Sequence, residues 1–200
     1  MMTDRFKTLL VSLAAALSFT ACATAQVELQ VPSTTAVDPT APDAVVEYGG
    51  PDPLVIETEN GPVTFTVELA ESQAARTRGM MHRPSMEPDA GMLFDFEVEQ
   101  VVSIWMRNTM IPLDIIYIRS DGTIAKIVAN AVPYSLRPMY SDYPVVGVLE
   151  ISGGRASELG IDAGDLVRHA WFDTAEPLAE EVDADSDGEY ETATEPTEGG

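Results

Sequence analysis

The stretch PVTFTVEL, residues 62–69, alternates apolar and polar side chains along its whole length. The apolar members are Val63, Phe65, Val67 and Leu69, and the polar members between them are Thr64, Thr66 and Glu68. A repeat of two residues places all the apolar side chains on one side of an extended backbone. The stretch therefore predicts a β-strand with one face in the core.

Further strand-length apolar segments follow, each bounded by Gly, Pro, Asp or Asn. They cover residues 92–96, 101–106, 113–119, 123–132, 145–151 and 166–172. Asp121-Gly122 is typical of a tight hairpin turn, because such turns need positive φ. Seven or eight strands in roughly 120 residues favour a nearly closed barrel or a sandwich. The sequence therefore predicts a mainly β, single compact domain, barrel-like or sandwich, with one or two short helices.

One short helix is predicted in ESQAARTRGMM, residues 71–81. Ser72 is a suitable N-cap, since its hydroxyl can accept a hydrogen bond from a free backbone N–H of the first turn. Gly79 is a suitable stop, because glycine ends helices at little conformational cost. The helix is expected to lie between these two residues.

The first 25 residues are typical of an export signal, with Arg5 and Lys7 before an apolar run from Leu9 to Phe19. Two cleavage sites compete. Residues 19–22, FTAC, resemble a lipobox with Cys22 as the lipidated residue, whereas ATA at residues 23–25 suits ordinary signal peptidase. We expect an exported protein, either periplasmic or a lipoprotein anchored in the cell envelope through Cys22.

Composition divides the remainder of the chain. Residues 26–53 are rich in Pro, Thr and Ala and predict a disordered linker. Residues 54–172 hold the β segments, and residues 173–200 carry 11 acids and no base, which predicts a disordered acidic tail. The net charge of −22 argues against nucleic acid as a partner, because its phosphates require clustered Lys and Arg. For the same reason, contact with a membrane is expected only through Cys22.

The stretch IWMRNTMIPLDIIYI, residues 104–118, places a polar cluster between two strand-like runs. Asn, Thr and Pro stabilise turns, so a turn explains much of the cluster. It does not explain Arg107 and Asp114 at the strand ends beside Trp105. Either this corner recognises a ligand, or Arg107 pairs internally with Asp114 or Glu150 and forms a structural clasp. The sequence leaves both hypotheses open.

Conventional catalytic and metal motifs are absent from the sequence, and no cofactor is expected. Met106 and Met110 are the weak metal candidates, since thioethers suit Cu(I) and an exported protein can meet copper. An enzymatic alternative uses Asp114 and Glu150 as an acid and base pair for hydrolysis of an envelope saccharide, with Arg107 and Asn108 orienting the substrate.

Four segments in this order resemble the bacterial and archaeal family named domain of unknown function 192. They are RGMMHR at 78–83, GMLFDF at 91–96, WMRNTMIPLDIIYI at 105–118, and VLEISGG at 148–154 followed by GIDAGDLV at 160–167. Met80 stands where the family more often has Leu, a nearly isosteric change. The resemblance implies a compact, mainly β, barrel-like domain that is often exported, and it implies no activity.

Carried over position by position, the motif also names residues able to contact a ligand. They are Arg78, Arg83, Trp105, Asn108, Thr109, Asp114, Glu150 and Asp165, to which the stretch above adds Arg107. We therefore expect a non-catalytic module that binds a small molecule or an envelope protein, with the hydrolase and the Cu(I) protein as alternatives.

Overall fold

A computed structural model describes residues 37–172 and residue 174. The predicted signal peptide, Cys22, the first part of the predicted linker and almost all of the predicted acidic tail lie outside these residues. Among the described residues, no helix is long and apolar enough to cross a membrane.

Nine strands and two short helices make up the described chain. In order they are β1 Gly49–Thr58, β2 Gly61–Ala70, α1 Gln73–Arg78, β3 Ala90–Gln100, β4 Ser103–Ile104, β5 Leu113–Ile118, β6 Ile124–Ala131, β7 Met139–Tyr140, β8 Val145–Ser152, α2 Arg155–Leu159 and β9 Leu166–Arg168. The prediction of a mainly β domain with one or two short helices is confirmed.

Seven strands form one sheet in the order β6-β5-β8-β3-β2-β1-β9, and β4 pairs with β7 separately. Neighbours in the sheet are antiparallel except β2 and β3. The sheet curls into a half-barrel, and its two edges meet at one corner. There Thr123 bridges Leu166, and the N–H of Ile124 donates to the carbonyl of Asp165 at 2.9 Å. The predicted barrel-like form is confirmed.

Core side chains lie on both faces of this sheet. In β5 all six residues are buried, and alternate residues belong to different clusters. Ile116 and Ile118 pack with one cluster, whereas Ile115 and Tyr117 pack with the other. A strand covered on both faces is apolar throughout rather than alternating, which explains the continuous apolar run in this part of the sequence.

The caps predicted for α1 are confirmed. The Ser72 hydroxyl accepts a hydrogen bond from the N–H of Ala75 at 3.0 Å, and the helix ends at Gly79, where φ is 45°. The predicted hairpin turn is also present, since the Asp121 carboxylate accepts from the N–H of Thr123 at 2.9 Å between β5 and β6.

Two predicted strands are shorter than expected. The apolar run 101–106 pairs only at Ser103–Ile104, because the N–H of Val102 donates to the Ser141 hydroxyl and that of Met106 donates to the carbonyl of Ser135. The run 166–172 is a strand only as far as Arg168. In both cases, apolar residues beyond the strand lie in loops and are buried in the core.

The first strand crosses the predicted boundary between residues 53 and 54, since β1 begins at Gly49. Residues before it contact the region after α1. The Tyr48 hydroxyl donates to the carbonyl of Gly79 at 3.0 Å, and the His82 ring lies 3.0 Å from the carbonyl oxygen of Thr40. The sequence did not indicate a strand in this segment, because Pro and Gly both disfavour strands.

Candidate functional site

The polar cluster of residues 104–118 begins with a tight turn. The N–H of Thr109 donates to the carbonyl of Met106 at 3.1 Å, and Asn108 adopts a φ of 56°. Asn tolerates this left-handed conformation better than most residues. The carbonyl of Asn108 accepts from the N–H of His82 at 2.9 Å, so the turn is fixed to the segment after α1.

Asp114 is a structural clasp. It is fully buried, and its Oδ1 accepts hydrogen bonds from the N–H of Asn130 at 2.8 Å and of Gly154 at 2.9 Å. Its Oδ2 accepts from the N–H of Ala156 at 2.8 Å. Gly154 is the N-cap of α2 and has no side chain to cap the helix. Asp114 therefore supplies this cap from a neighbouring strand and joins β5, β6 and α2.

The clasp hypothesis named the wrong partner, because Arg107 does not pair with Asp114. The guanidinium of Arg107 is exposed and lies 5.8 Å from the centre of the Trp105 ring. Backbone N–H groups satisfy the Asp114 carboxylate instead. A sequence motif cannot reveal such partners, since every residue type except proline offers the same donor.

Glu150 lies on the opposite face of the sheet from Asp114. Residues paired across antiparallel strands point to the same face, and neighbours along one strand point to opposite faces. Asp114 pairs with Ile151, which belongs to one core cluster, while Glu150 pairs with Ile115 of the other cluster. The hydrolase alternative required both carboxylates in one cleft, so it is wrong in that requirement.

A pocket of about 460 Å³ lies on the Glu150 face. Its lining combines apolar and polar side chains in similar measure. The apolar lining comprises Gly79, Met80, Met81, Phe94, Phe96, Ile104 and Trp105, and the polar lining comprises Gln73, Arg76, Thr77, Arg78, Gln100, Ser103, Thr109 and Glu150. A concave pocket that offers both apolar surface and polar groups is a candidate small-molecule site.

Glu150 is the buried acid of this pocket, with 5% of its surface exposed. Burial raises its pKa to about 8, and the guanidinium of Arg83 offsets only part of that effect. At neutral pH the side chain is therefore mainly a carboxylic acid, which can donate a hydrogen bond as well as accept one. Among residues 37–172, no group forms a hydrogen bond with this carboxyl. A ligand that enters the pocket can form a hydrogen bond with this carboxyl.

The polar part of the pocket lining includes residues that the sequence did not predict as site residues. Gln73, Arg76 and Thr77 share one face of α1, because they are three and four positions apart. The Arg76 guanidinium donates to the carbonyl of Asp95 at 2.8 Å and contacts Glu97 at 3.3 Å. Helical spacing was the available signal, but the sequence does not show that this face of the helix meets a pocket.

The structure divides the predicted site residues into two groups. The pocket brings together Arg78, Trp105, Thr109 and Glu150. It does not include Arg83, Arg107, Asn108 or Asp114. Arg83 pairs with Glu68 and lies 5.1 Å from the centre of the Tyr48 ring. Asp165, also named by the family motif, accepts from the N–H of Asp162 at 2.8 Å in the turn before β9.

The two candidate copper ligands lie in different surroundings. Met106 is fully buried in the core, whereas Met110 is 44% exposed. Within the described part of the chain, no group of three or more His, Cys, Asp or Glu side chains is arranged to hold a metal ion. The structure gives the Cu(I) alternative no assembled thioether pair.

Arg78 holds the segment before β1 against α1. Its guanidinium donates to the carbonyls of Pro39 at 3.0 Å, Ala41, and Pro42 at 3.2 Å. We expect Arg78→Ala to lower the free energy of unfolding by about 1 to 2 kcal/mol, since hydrogen bonds from a charged donor are lost. Hydrogen exchange should show faster exchange of the amides of residues 38–48.

Arg107→Ala is the matched control, because it removes an exposed guanidinium that lies near Trp105 and acts on Asp38 only through its charge, with no hydrogen bond to residues 38–48. It should leave exchange in residues 38–48 unchanged. Equal exchange in the Arg78 variant and the unmodified protein would contradict the role assigned to Arg78.

The described domain is similar in sequence and structure to known proteins. Residues 55–169 match the family model DUF192, described as an uncharacterized ACR. A crystal structure of a protein named "putative transcription regulator", from Sinorhizobium meliloti 1021, has 42% identity and a TM-score of 0.62, and the match covers 64% of this chain and 100% of that one. A protein of unknown function from Novosphingobium aromaticivorans DSM 12444 has 37% identity and a TM-score of 0.59, with 64% and 96% covered. No curated protein matches this chain.

Proposed function

Because the chain belongs to the uncharacterised DUF192 family, we propose its function from its own pocket: it is a non-catalytic module that binds a small amphipathic molecule. The observation that carries this proposal is the buried position of Glu150, whose pKa is raised, at a pocket lined by both apolar and polar side chains. When protonated, its carboxyl favours a ligand with a hydrogen-bond acceptor, such as an amide or carboxylate oxygen. The methionine and aromatic side chains in the pocket lining favour a ligand that also has an apolar part.

We propose that the protein acts in the cell envelope, either in the periplasm or anchored through a lipid on Cys22. The support is the basic and apolar pattern of residues 1–25 and the adjacent FTAC sequence. A role in binding nucleic acid, which the name of the Sinorhizobium protein raises, suits this chain poorly because its net charge of −22 repels phosphate backbones.

The proposal is tested with three probes that share one apolar body: hexanamide, hexanoate and hexylamine. Trp171→Phe leaves Trp105, which lines the pocket, as the single tryptophan, so its fluorescence reports occupancy. We expect hexanamide to bind below about pH 8 through its carbonyl oxygen and to lose affinity above it, because the ligand then buries an ionised carboxylate at a desolvation cost that its N–H groups offset only in part. Hexanoate should lose more affinity than hexanamide above this pH, because its carboxylate is then repelled by the ionised Glu150 carboxylate.

Two changes at Glu150 separate its role from that of the pocket. Glu150→Gln keeps a donor and should bind hexanamide at every pH tested, whereas Glu150→Leu removes the donor and should weaken binding about tenfold. Glu87→Gln, a change at an exposed acid, is the control and should behave like the unmodified protein. Absence of binding by all three probes, or hexanamide binding that Glu150→Leu leaves unchanged, would reject the proposed site.

A further inference from the structure

Two loops are hydrogen-bonded side by side at one end of the domain. The N–H of Met106 donates to the carbonyl of Ser135 at 2.9 Å, and the N–H of Tyr134 donates to that of Thr109 at 3.1 Å. The pairing continues through β4 and β7, where Ser103 lies opposite Tyr140. We call the surface formed by residues 103–111 and 132–140 the loop face.

Large apolar and aromatic side chains are exposed along the loop face. They are Trp105, Met110, Val132, Tyr134, Leu136 and Tyr140, with Leu136 66% exposed and Tyr134 59% exposed. Most of the large hydrophobic side chains exposed in the described chain belong to this surface or border it. A concentration of exposed apolar groups on two adjoining loops is typical of a surface that contacts a partner or a membrane.

The two segments of the loop face contain no acid in an acid-rich chain, although Asp142 follows the second segment closely and the charge of Arg107 acts on Asp38. The chain holds 33 Asp and Glu residues, yet none lies between Glu99 and Asp114 or between Asp121 and Asp142. Both sequence segments of the loop face fall inside these intervals. The charged residues of the loop face are Arg107 and Arg137, both exposed. Neither forms a salt bridge with another described residue. The two segments therefore carry positive charge, opposite in sign to the net charge of the whole chain.

We propose that the loop face docks on an anionic lipid bilayer. Trp and Tyr side chains favour the boundary between headgroups and acyl chains, and exposed Leu and Val side chains gain by leaving water. Arg107 and Arg137 are placed to contact lipid phosphates. An anionic surface repels the acidic remainder of the chain, so it admits the protein only in the orientation that presents this face. The net charge of −22 alone argued against such contact, and the distribution of charge reverses that conclusion for one surface.

This contact is reversible and sensitive to salt. Two exposed cations and a few partly inserted side chains give weak attraction, and dissolved ions screen charges beyond about 8 Å at physiological ionic strength. The contact does not depend on the pocket ligand. Because Trp105 belongs both to the pocket lining and to the loop face, the test leaves it unchanged.

The test is sedimentation of the full chain with lipid vesicles, using Cys22→Ser so that no lipid is attached at residue 22. Vesicles contain phosphatidylcholine alone or together with phosphatidylglycerol. We expect binding only when phosphatidylglycerol is present. Arg107→Gln with Arg137→Gln should weaken it by about fivefold for each cation removed. Tyr134→Asn with Leu136→Ser should also weaken it, with net charge unchanged.

The matched control adds the same negative charge elsewhere. Asn60→Asp with Thr64→Glu changes two exposed residues in and beside the β1–β2 turn, whose strand β1 adjoins β9 rather than the loop face. This variant should bind vesicles like the unmodified chain. The proposal is overturned if the unmodified chain does not sediment with phosphatidylglycerol vesicles, or if the control loses as much binding as the arginine variant. The proposal is also overturned if the loop-face variants prevent copies of this chain from associating in solution but still sediment with vesicles like the unmodified chain. The loop face would then be an interface between copies of the chain.

Discussion

Asp114→Ala is expected to lower the free energy of unfolding by about 3 to 5 kcal/mol, because one substitution leaves three backbone N–H groups without an acceptor. Those groups belong to Asn130, Gly154 and Ala156. The variant also removes the carboxylate that caps the N-terminus of α2, whose own N-cap is a glycine. Denaturant unfolding measures the change, and the slope of free energy against denaturant should stay constant if the unfolded state is unaffected.

Asp114→Asn is the matched control for this prediction. It has nearly the same shape and keeps one oxygen, but its amide nitrogen must face either the Ala156 N–H or the other two donors. We expect an intermediate loss of stability. An alanine variant that unfolds at the same denaturant concentration as the unmodified protein would show that the carboxylate does not hold these three elements together.

Glu150 is expected to make the protein less stable as pH rises from about 4.5 to about 8. Its ordinary pKa is 4.5, and burial raises the pKa to about 8 in the folded protein. Below both values the carboxyl is protonated in both states and has no effect on stability. Between them the unfolded chain ionises while the folded chain retains its proton, so ionisation favours unfolding. The loss at pH 7 is about 3 kcal/mol.

Glu150→Gln should remove this pH dependence. The variant should match the unmodified protein near pH 4 and exceed it in stability at pH 8, as measured by denaturant unfolding across the range. Glu87→Gln, at an exposed position, removes one surface carboxylate and controls for the change in net charge. A constant difference between the Glu150 variant and the unmodified protein from pH 4 to pH 8 would mean that Glu150 is not protonated in the folded state.

Much of the fold follows from short-range sequence signals. The alternation in residues 62–69 predicted β2, and Ser72 and Gly79 predicted the two ends of α1. Both signals are local, because the strand period and the helix caps depend on neighbouring residues. The β1 strand was only partly recognised. Its first half contains Pro51 and Pro53, and its place in the sheet depends on pairing with β2 and β9, the latter more than 100 residues away in sequence.

The site was less accessible to sequence reasoning. Asp114 and Glu150 were both recognised as candidates, but strand register decides which face each occupies, and register is a property of pairing between distant segments. Arg107, which the clasp hypothesis paired with Asp114 or Glu150, instead lies on the surface beside Trp105. The raised pKa of Glu150 also has no local sequence signal, because it results from burial in the middle of the sheet, where Glu150 lies between β3 and β5.

The most direct test of the proposed site is a titration of the Glu150 carboxyl by isotope-edited carbon NMR, assigned by its absence in Glu150→Gln. We predict a midpoint near 8 in the free protein. Hexanamide should raise this midpoint further, because it binds the protonated form more tightly than the ionised form. A midpoint near the ordinary value of 4.5, or one that saturating hexanamide leaves unchanged, would contradict a binding site built on this buried acid.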